Sequence, residues 1–229
     1  MPLCTAIVPF YNEKERVLYV LKQLIKVNNL EKIICVDDGS EDKSLVTSIK
    51  NRFKNVYVIR LNKNMGKSHA VSVGLQHVRT PYVMLMDADL SNINPKEIIR
   101  AISFMDGKTP IDLLILRIIN FPWYAKLIRG DVLSSGQRIL SAHDLREVYK
   151  TMRPQRYQLE FAINFFMMKN KRKAYWISYS ARNVVKVHKL GLLKGLSSEL
   201  TMYLDMVEYV GLITPIKSLV FFCKSSVVH

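Results

Sequence analysis

Four short apolar runs pace the first part of the chain: Cys4 to Pro9, Lys32 to Val36, Val56 to Arg60 and Tyr82 to Met86. Each has the length of a buried strand, and each breaks off into polar residues. The stretches between them carry helical spacing. Val17, Val20, Leu21, Leu24 and Ile25 fall on one face of a helix predicted from Glu13 to about Val27, with Asn12 as its cap. Asp42 to Phe53 reads as a second, more polar helix, and a turn at Asn62 to Lys67 opens a third that runs through His77. Strand–helix–strand repeats of this length make parallel sheets covered by helices on both faces. The fold class is therefore α/β, with a Rossmann-like, mostly parallel sheet.

The alternation loosens after Asp89. Pro95 to Met105 reads as a helix, Ile111 to Leu116 as a fifth strand, and Arg117 to Gly136 as irregular. Asp144 to Met152 and Tyr157 to Lys169 then read as helices and Ala174 to Tyr179 as a strand, before a basic tail from Val184. No internal repeat or low-complexity linker divides the chain, so residues 1–229 are expected to form a single domain. The sharpest change of style falls near residue 90.

A net charge of +15 asks for an anionic partner: nucleic acid, lipid head groups or a phosphorylated substrate. The basic runs contain no recognised reader motif and little aromatic interleaving, so nucleic acid is not expected. Cys4, Cys35 and Cys223 are scattered, without zinc spacing, and are expected to be buried thiols in a reducing compartment. Met1 leads directly into a strand-like run rather than a secretory leader, and Val207 to Cys223 is interrupted by Glu208, Pro215 and Lys217. The expected location is the cytoplasm, with room for peripheral contact at the inner face of a membrane.

In a parallel sheet the carboxyl ends of the strands share one rim, where open α/β sheets bind ligands. Pro9 to Glu13, Asp37 to Ser40, Asn62 to Lys67, and Asp87 with Asp89 would all meet there. Asp87 and Asp89 point to one side of an extended segment while Ala88 points to the other. Two adjacent carboxylates repel unless a cation lies between them, and oxygen donors favour Mg2+ or Mn2+. Lys67 can neutralise a diphosphate, and an acid can accept the N–H of a base or bridge ribose hydroxyls. Other phosphate motifs fail. Asn64 to Ser68 ends like a Walker A loop, but its first glycine position holds Leu61, and no glycine pair has Gly-x-Gly spacing.

These segments, Val8-Pro9-Phe10-Tyr11-Asn12-Glu13, Val36-Asp37-Asp38-Gly39-Ser40-Glu41-Asp42, Asn62-Lys63-Asn64-Met65-Gly66-Lys67 and Asp87-Ala88-Asp89, resemble the successive signatures of family-2 glycosyltransferases. The resemblance is dense over residues 3–105, and the chain is similar to polyprenyl-phosphate sugar synthases. It implies a GT-A fold, a nucleotide-diphosphate sugar donor, and a division into a nucleotide-sugar half (1–105) and an acceptor half (106–229). It further implies that Pro9, Tyr11 and Glu13 line the nucleoside pocket and that Asp38, or its neighbour Asp37, holds the base. Gly66 and Lys67 would lie by the nucleotide, and Asp87 and Asp89 would hold ribose and metal.

In the second half, Ser135-Gly136-Gln137-Arg138 resembles an element bordering the acceptor in relatives that use polyprenyl-phosphate or phosphorylated acceptors. Arg138 is then a candidate phosphate contact, since a guanidinium grips phosphate oxygens in pairs. Glu160 stands in an otherwise apolar helix where family members place a catalytic base, though the usual second acid is Phe161 here. An ordinary buried acid paired with arginine is the competing reading. The resemblance also makes His188 a candidate further metal ligand, since some GT-A relatives recruit a late histidine, and imidazole suits Mn2+ better than Mg2+.

The chemistry implied is inverting transfer of a sugar to an anionic or lipid-linked acceptor, with a divalent cation on the Asp87/Asp89 pair. A hydroxyl acceptor needs a base such as Glu160, while a phosphate acceptor is already anionic. Two alternatives stand beside it: a nucleotidyltransferase that makes nucleotide sugars and releases pyrophosphate, and a basic nucleic-acid-binding module.

Overall fold

A computed structural model describes residues 4–107, 110–119 and 130–183, together with Tyr209, Lys217, Phe221 and Phe222. The first half follows the predicted alternation: β1 (Cys4–Phe10), α1 (Glu15–Leu24), β2 (Leu30–Asp37), α2 (Ser44–Arg52), β3 (Val56–Arg60), α3 (Lys67–Leu75) and β4 (Tyr82–Leu85). Then come β5 (Leu90–Ser91), α4 (Pro95–Met105), β6 (Leu113–Ile118), α5 (Gly130–Leu133), β7 (Arg138–Ser141), α6 (Ala142–Met152), α7 (Leu159–Lys169), β8 (Ala174–Tyr179) and β9 (Arg182–Asn183).

Seven strands make one sheet in the order β3-β2-β1-β4-β7-β6-β8, and β5 pairs with β9 outside it. β3, β2, β1 and β4 run parallel, as do β6 and β8. β7 is the exception, antiparallel to both β4 and β6. The mostly parallel α/β sheet read from the sequence is therefore present.

Alternating side chains send each strand's residues to two cores. On one face Ala6, Val8, Cys35 and Met84 meet Val17, Val20 and Leu21 of α1, Ile49 of α2, and Ile98 and Ile102 of α4. On the other face Ile7, Ile34, Val36, Val83 and Leu85 meet Ala70 and Val71 of α3, Leu145 and Val148 of α6, and Ile163 and Met167 of α7. Each fully buried Leu or Ile contributes about 1.5–3 kcal/mol relative to exposure, so the two layers hold the sheet rigid under its rim. Among the described residues, no helix is long and apolar enough to cross a membrane.

Three local expectations change. Asn12 does not cap α1, which begins two residues later than predicted, after Lys14. Asn12 has φ 55°, and its side-chain Oδ1 accepts from the Glu41 backbone at 3.0 Å while its own N–H donates to Ser40 Oγ at 2.9 Å. It ties the loop after β1 to the loop after β2 instead. The fifth predicted strand is shifted toward the carboxyl end, Leu113–Ile118 rather than 111–116. Finally, β7 follows the stretch read as irregular, where no element is expected; with four residues and an arginine at its head it shows no apolar alternation. Its reversed direction shapes the rim. In register, Arg138 sits opposite Leu85, so the residues preceding β7 arrive at the rim where β4 ends.

Candidate active site

The rim is built by loops that hold one another. Asp38, at the end of β2, accepts the backbone N–H of Met65 at 2.9 Å and of Gly66 at 2.8 Å, one on each carboxylate oxygen. That grip fixes the loop leading into α3. Gly66 closes it with φ 91°, and a Cβ there would lie 2.9 Å from the Cα of Arg156, so both conformation and space require glycine. Lys67 is thereby placed at the first turn of α3.

Lys67 Nζ lies 2.5 Å from Asp87 Oδ1 and 2.6 Å from Glu160 Oε1. Asp87 comes from the turn after β4 and Glu160 from the first turn of α7, so one ammonium joins the two halves of the chain. Burial pulls the Lys67 pKa down, but the Asp87 and Glu160 carboxylates more than offset that and hold it above the ordinary lysine value. The cluster is only partly covered: 24% of the Asp87 side chain and 9% of the Glu160 side chain remain exposed. Tyr149 packs alongside, donating to the Ser68 carbonyl at 2.6 Å, and its phenol is pushed well up by burial and by the Glu160 charge.

The segment before β7 completes the arrangement. Gln137 Nε2 donates to Asp87 Oδ2 at 2.6 Å. Gly136 lets the backbone reach this far, because a Cβ there would lie 2.6 Å from both Asp87 Oδ1 and Lys67 Nζ. The sequence marks Gly136 and Gln137 only as the middle of the Ser-Gly-x-Arg element, with no role of their own.

Arg138 requires a correction. It is fully buried, and its Nε donates to Ser135 O at 2.8 Å. One terminal nitrogen serves Glu160 O at 3.2 Å and Asn164 Oδ1 at 3.0 Å, and the other Ser135 O at 2.5 Å and Leu133 O at 3.4 Å. All five N–H groups of a guanidinium are accounted for by internal acceptors. In this arrangement Arg138 braces the start of α7 beneath Glu160 and does not present a fork to an acceptor phosphate. Burial pulls its pKa down to about 10, with the Glu160 and Asp87 carboxylates opposing, so it stays charged at neutral pH. Glu160 pairs with Lys67 rather than with an arginine side chain.

The residues expected to line the nucleoside pocket lie at the ends of β1 and β2. Pro9 is buried within β1 opposite Val36, Tyr11 is 41% exposed, and Glu13 pairs with Arg16 at 3.1 Å. Asn12, Ser40, Glu41, Asp42 and Leu45 line a small open hollow there. Asp37 and Asp38 are both buried. Asp37 accepts from the Ser40 backbone at 2.8 Å and pairs with Arg60 at 2.6 Å, so both acids hold loops in this structure.

A divalent cation fits the residues present. Asp87 and Asp89 both keep part of their surface exposed while Ala88 packs into the core. The Asp87 oxygens each receive one donor, leaving a second lone pair on each. No group of three or more His, Cys, Asp or Glu side chains gathers around a metal position among the described residues. Two carboxylates with the remaining positions left to phosphate oxygens and water is the usual provision for Mg2+. His188 lies outside the described residues.

The sequence profile of the family described as glycosyl transferase family 2 matches residues 5–174. The chain belongs to glycosyltransferase family 2. Over 109 residues it is 32% identical to an undecaprenyl-phosphate 4-deoxy-4-formamido-L-arabinose transferase of Edwardsiella ictaluri, a match covering 44% of the chain and 33% of that protein. Over 94 residues it is 35% identical to a dolichyl-phosphate beta-glucosyltransferase of Trichomonas vaginalis, covering 36% of the chain and 29% of that protein. The chain matches about a third of the length of these curated relatives. Among solved structures, a glucosyl-3-phosphoglycerate synthase of Mycobacterium tuberculosis in complex with phosphoglyceric acid superposes with a TM-score of 0.69 at 15% identity, covering 95% of the chain and 80% of that one. At that identity the likeness is one of fold, and the fold is of the GT-A type. Other structures of the same synthase hold Mn2+ with UDP and glucosyl-3-phosphoglycerate, or Mg2+ with UDP.

Proposed function

We propose that this family-2 glycosyltransferase moves a sugar, with inversion, from a UDP- or GDP-linked donor to a phosphate-bearing or lipid-linked acceptor. The observation that carries the reading is the Lys67 bridge: one ammonium spans Asp87 of the first half and Glu160 of the second. A donor seated on the first half would put its sugar carbon beside the second half, where an acceptor approaches. Held by Asp87 and Asp89, with His188 as a candidate further ligand, a Mg2+ or Mn2+ ion would neutralise the departing diphosphate as a Lewis acid.

The chain's own groups do the rest. Tyr11, the Pro9 segment and Glu13 line the nucleoside end, and Asp37 and Asp38 shape the loops under it while remaining the candidates for contact with the base. Gly66 lets the backbone of the third loop come close to the diphosphate, and Lys67 supplies positive charge to its oxygens. Glu160 accepts the proton of a hydroxyl acceptor; for a phosphate acceptor no base is needed, and Glu160 serves by holding Lys67 in place. Arg138 acts on the acceptor side through α7, by bracing Glu160. The +15 charge and the lipid-phosphate names of the relatives support an enzyme working on the cytoplasmic side, in peripheral contact with an anionic membrane.

The test is a thermal-shift screen of UDP- and GDP-sugars with and without Mn2+. A metal-dependent shift from one donor, lost in Asp89→Ala, is the expected result. A donor that stabilises the protein equally without metal, or no shift from any donor, would count against the reading.

A further inference from the structure

We propose that Gln137 is a positioning residue for Asp87, fixing the plane of its carboxylate without cancelling its charge. The inference rests on the reading of Asp87 as part of the donor and cation site.

Asp87 receives two donors of different kinds. On Oδ1 it meets the Lys67 ammonium, which neutralises as well as orients. On Oδ2 it meets the neutral Gln137 amide at 2.6 Å, which orients only. A second lysine in that place would hold the carboxylate as firmly but would remove the net negative charge that attracts a divalent ion. An amide leaves that charge in place.

Gln137 is itself held on every side. It is fully buried, and its carbonyl accepts from the Leu116 N–H at 2.9 Å, which fastens it to β6. Its Oε1 lies 3.2 Å from Ser135 Oγ, whose single proton is shared between that oxygen and the Leu116 carbonyl at 2.9 Å. A flipped amide would set Oε1 against the Asp87 carboxylate, acceptor against acceptor, so the donor end must face Asp87. Because β7 runs against β4, Gln137 precedes the Arg138–Leu85 pair and meets the chain just beyond β4, where Asp87 lies. Gly136, with no Cβ, keeps the approach open. The four residues from Ser135 to Arg138 thus form a cradle: one orients the amide, one makes room, one holds Asp87, and one braces Glu160.

A residue that only satisfied a buried polar group would affect stability and leave metal dependence alone. The readout is therefore the Mn2+ midpoint for nucleotide binding, measured calorimetrically with UDP and GDP on the intact chain, beside the melting temperature. Gln137→Met keeps the side chain's length and loses the donor. It is expected to raise the Mn2+ midpoint about 10- to 100-fold while nucleotide affinity at saturating Mn2+ stays near that of the wild type. Ser135→Ala leaves the amide but frees its orientation, and is expected to raise the midpoint by about 2- to 10-fold. A wild type that needs Mn2+ with Gln137→Met unchanged overturns this inference alone; a wild type that binds neither nucleotide in a metal-dependent way overturns the functional reading and this inference with it. If Gln137→Met does not fold, an unchanged midpoint in Ser135→Ala is the overturning result.

Discussion

Replacing Lys67 with methionine removes the ammonium that Asp87 and Glu160 share and leaves their two carboxylates facing one another. The side chains of the three residues are 19%, 24% and 9% exposed, so water reaches them poorly. Removing one partner of a buried pair costs about 3–5 kcal/mol, and the residual exposure of Asp87 places this site toward the lower end, about 3 kcal/mol. For a chain of this size, each kcal/mol lowers the melting temperature by about 2–4 °C, giving an expected drop of about 6–12 °C. The assay is thermal unfolding by circular dichroism without nucleotide or metal. The double variant Lys67→Met/Glu160→Gln removes one of the two stranded charges, and should recover about 1–2 kcal/mol of the loss. The pH dependence follows from the direction of the Lys67 shift. Its folded value lies above the unfolded one of about 10.4, so its stabilisation is present in full below that pH and is lost only as pH rises through the folded value. The gap between wild type and Lys67→Met should therefore be the same at about pH 7 and about pH 9. A drop below about 2 °C, or a double variant less stable than the single, would refute the shared-cation reasoning.

Other substitutions probe separate parts of the rim. Gly136→Ala places a methyl group into the Asp87–Lys67 contact and should abolish metal-dependent nucleotide binding, measured by calorimetry, with a melting temperature lowered by only a few degrees. Gly66→Ala meets both a positive φ and the Arg156 backbone, and should destabilise by about 1–3 kcal/mol in denaturant titration. Arg138→Lys cannot serve all the acceptors that Arg138 reaches, and should cost about 2–3 kcal/mol by the same measurement; an unchanged stability would refute the bracing role. Cys4 and Cys35 are buried, and burial pushes both thiols far up, with the Asp37 charge adding to the effect at Cys35. In a Cys223→Ser background the native protein should resist alkylation at pH 8 and react fully once unfolded.

Much of this architecture is legible in the sequence because strand and helix signals agree locally. Ile7, Ile34 and Val83 sit in continuous apolar runs of the kind buried parallel strands require, and the rim follows from the topology. What escapes the sequence is long-range or ambiguous in kind. Lys67 and Glu160 are 93 residues apart, and no local spacing announces their contact. A carboxylate that accepts backbone N–H groups, as Asp38 does, looks the same in sequence as one that faces a ligand. Asn12 has the composition of a cap but acts as a tie between loops. β7 is hidden because Arg138 at its head reads as a phosphate contact, although five hydrogen bonds to four internal acceptors make its burial tolerable. Gln137 meets Asp87 only through the pairing of β7 with β4, which no local pattern in the sequence announces.

The central claim is transfer of a glycosyl group from an activated diphosphate, and phosphorus NMR of the reaction tests it most directly. With Mn2+, a binding UDP- or GDP-sugar and undecaprenyl phosphate or phosphoglycerate as acceptor, the account predicts conversion of the donor to free nucleoside diphosphate, absent in Asp89→Ala. An intact donor with both acceptors, together with pyrophosphate released from a nucleoside triphosphate and a sugar phosphate, would contradict it.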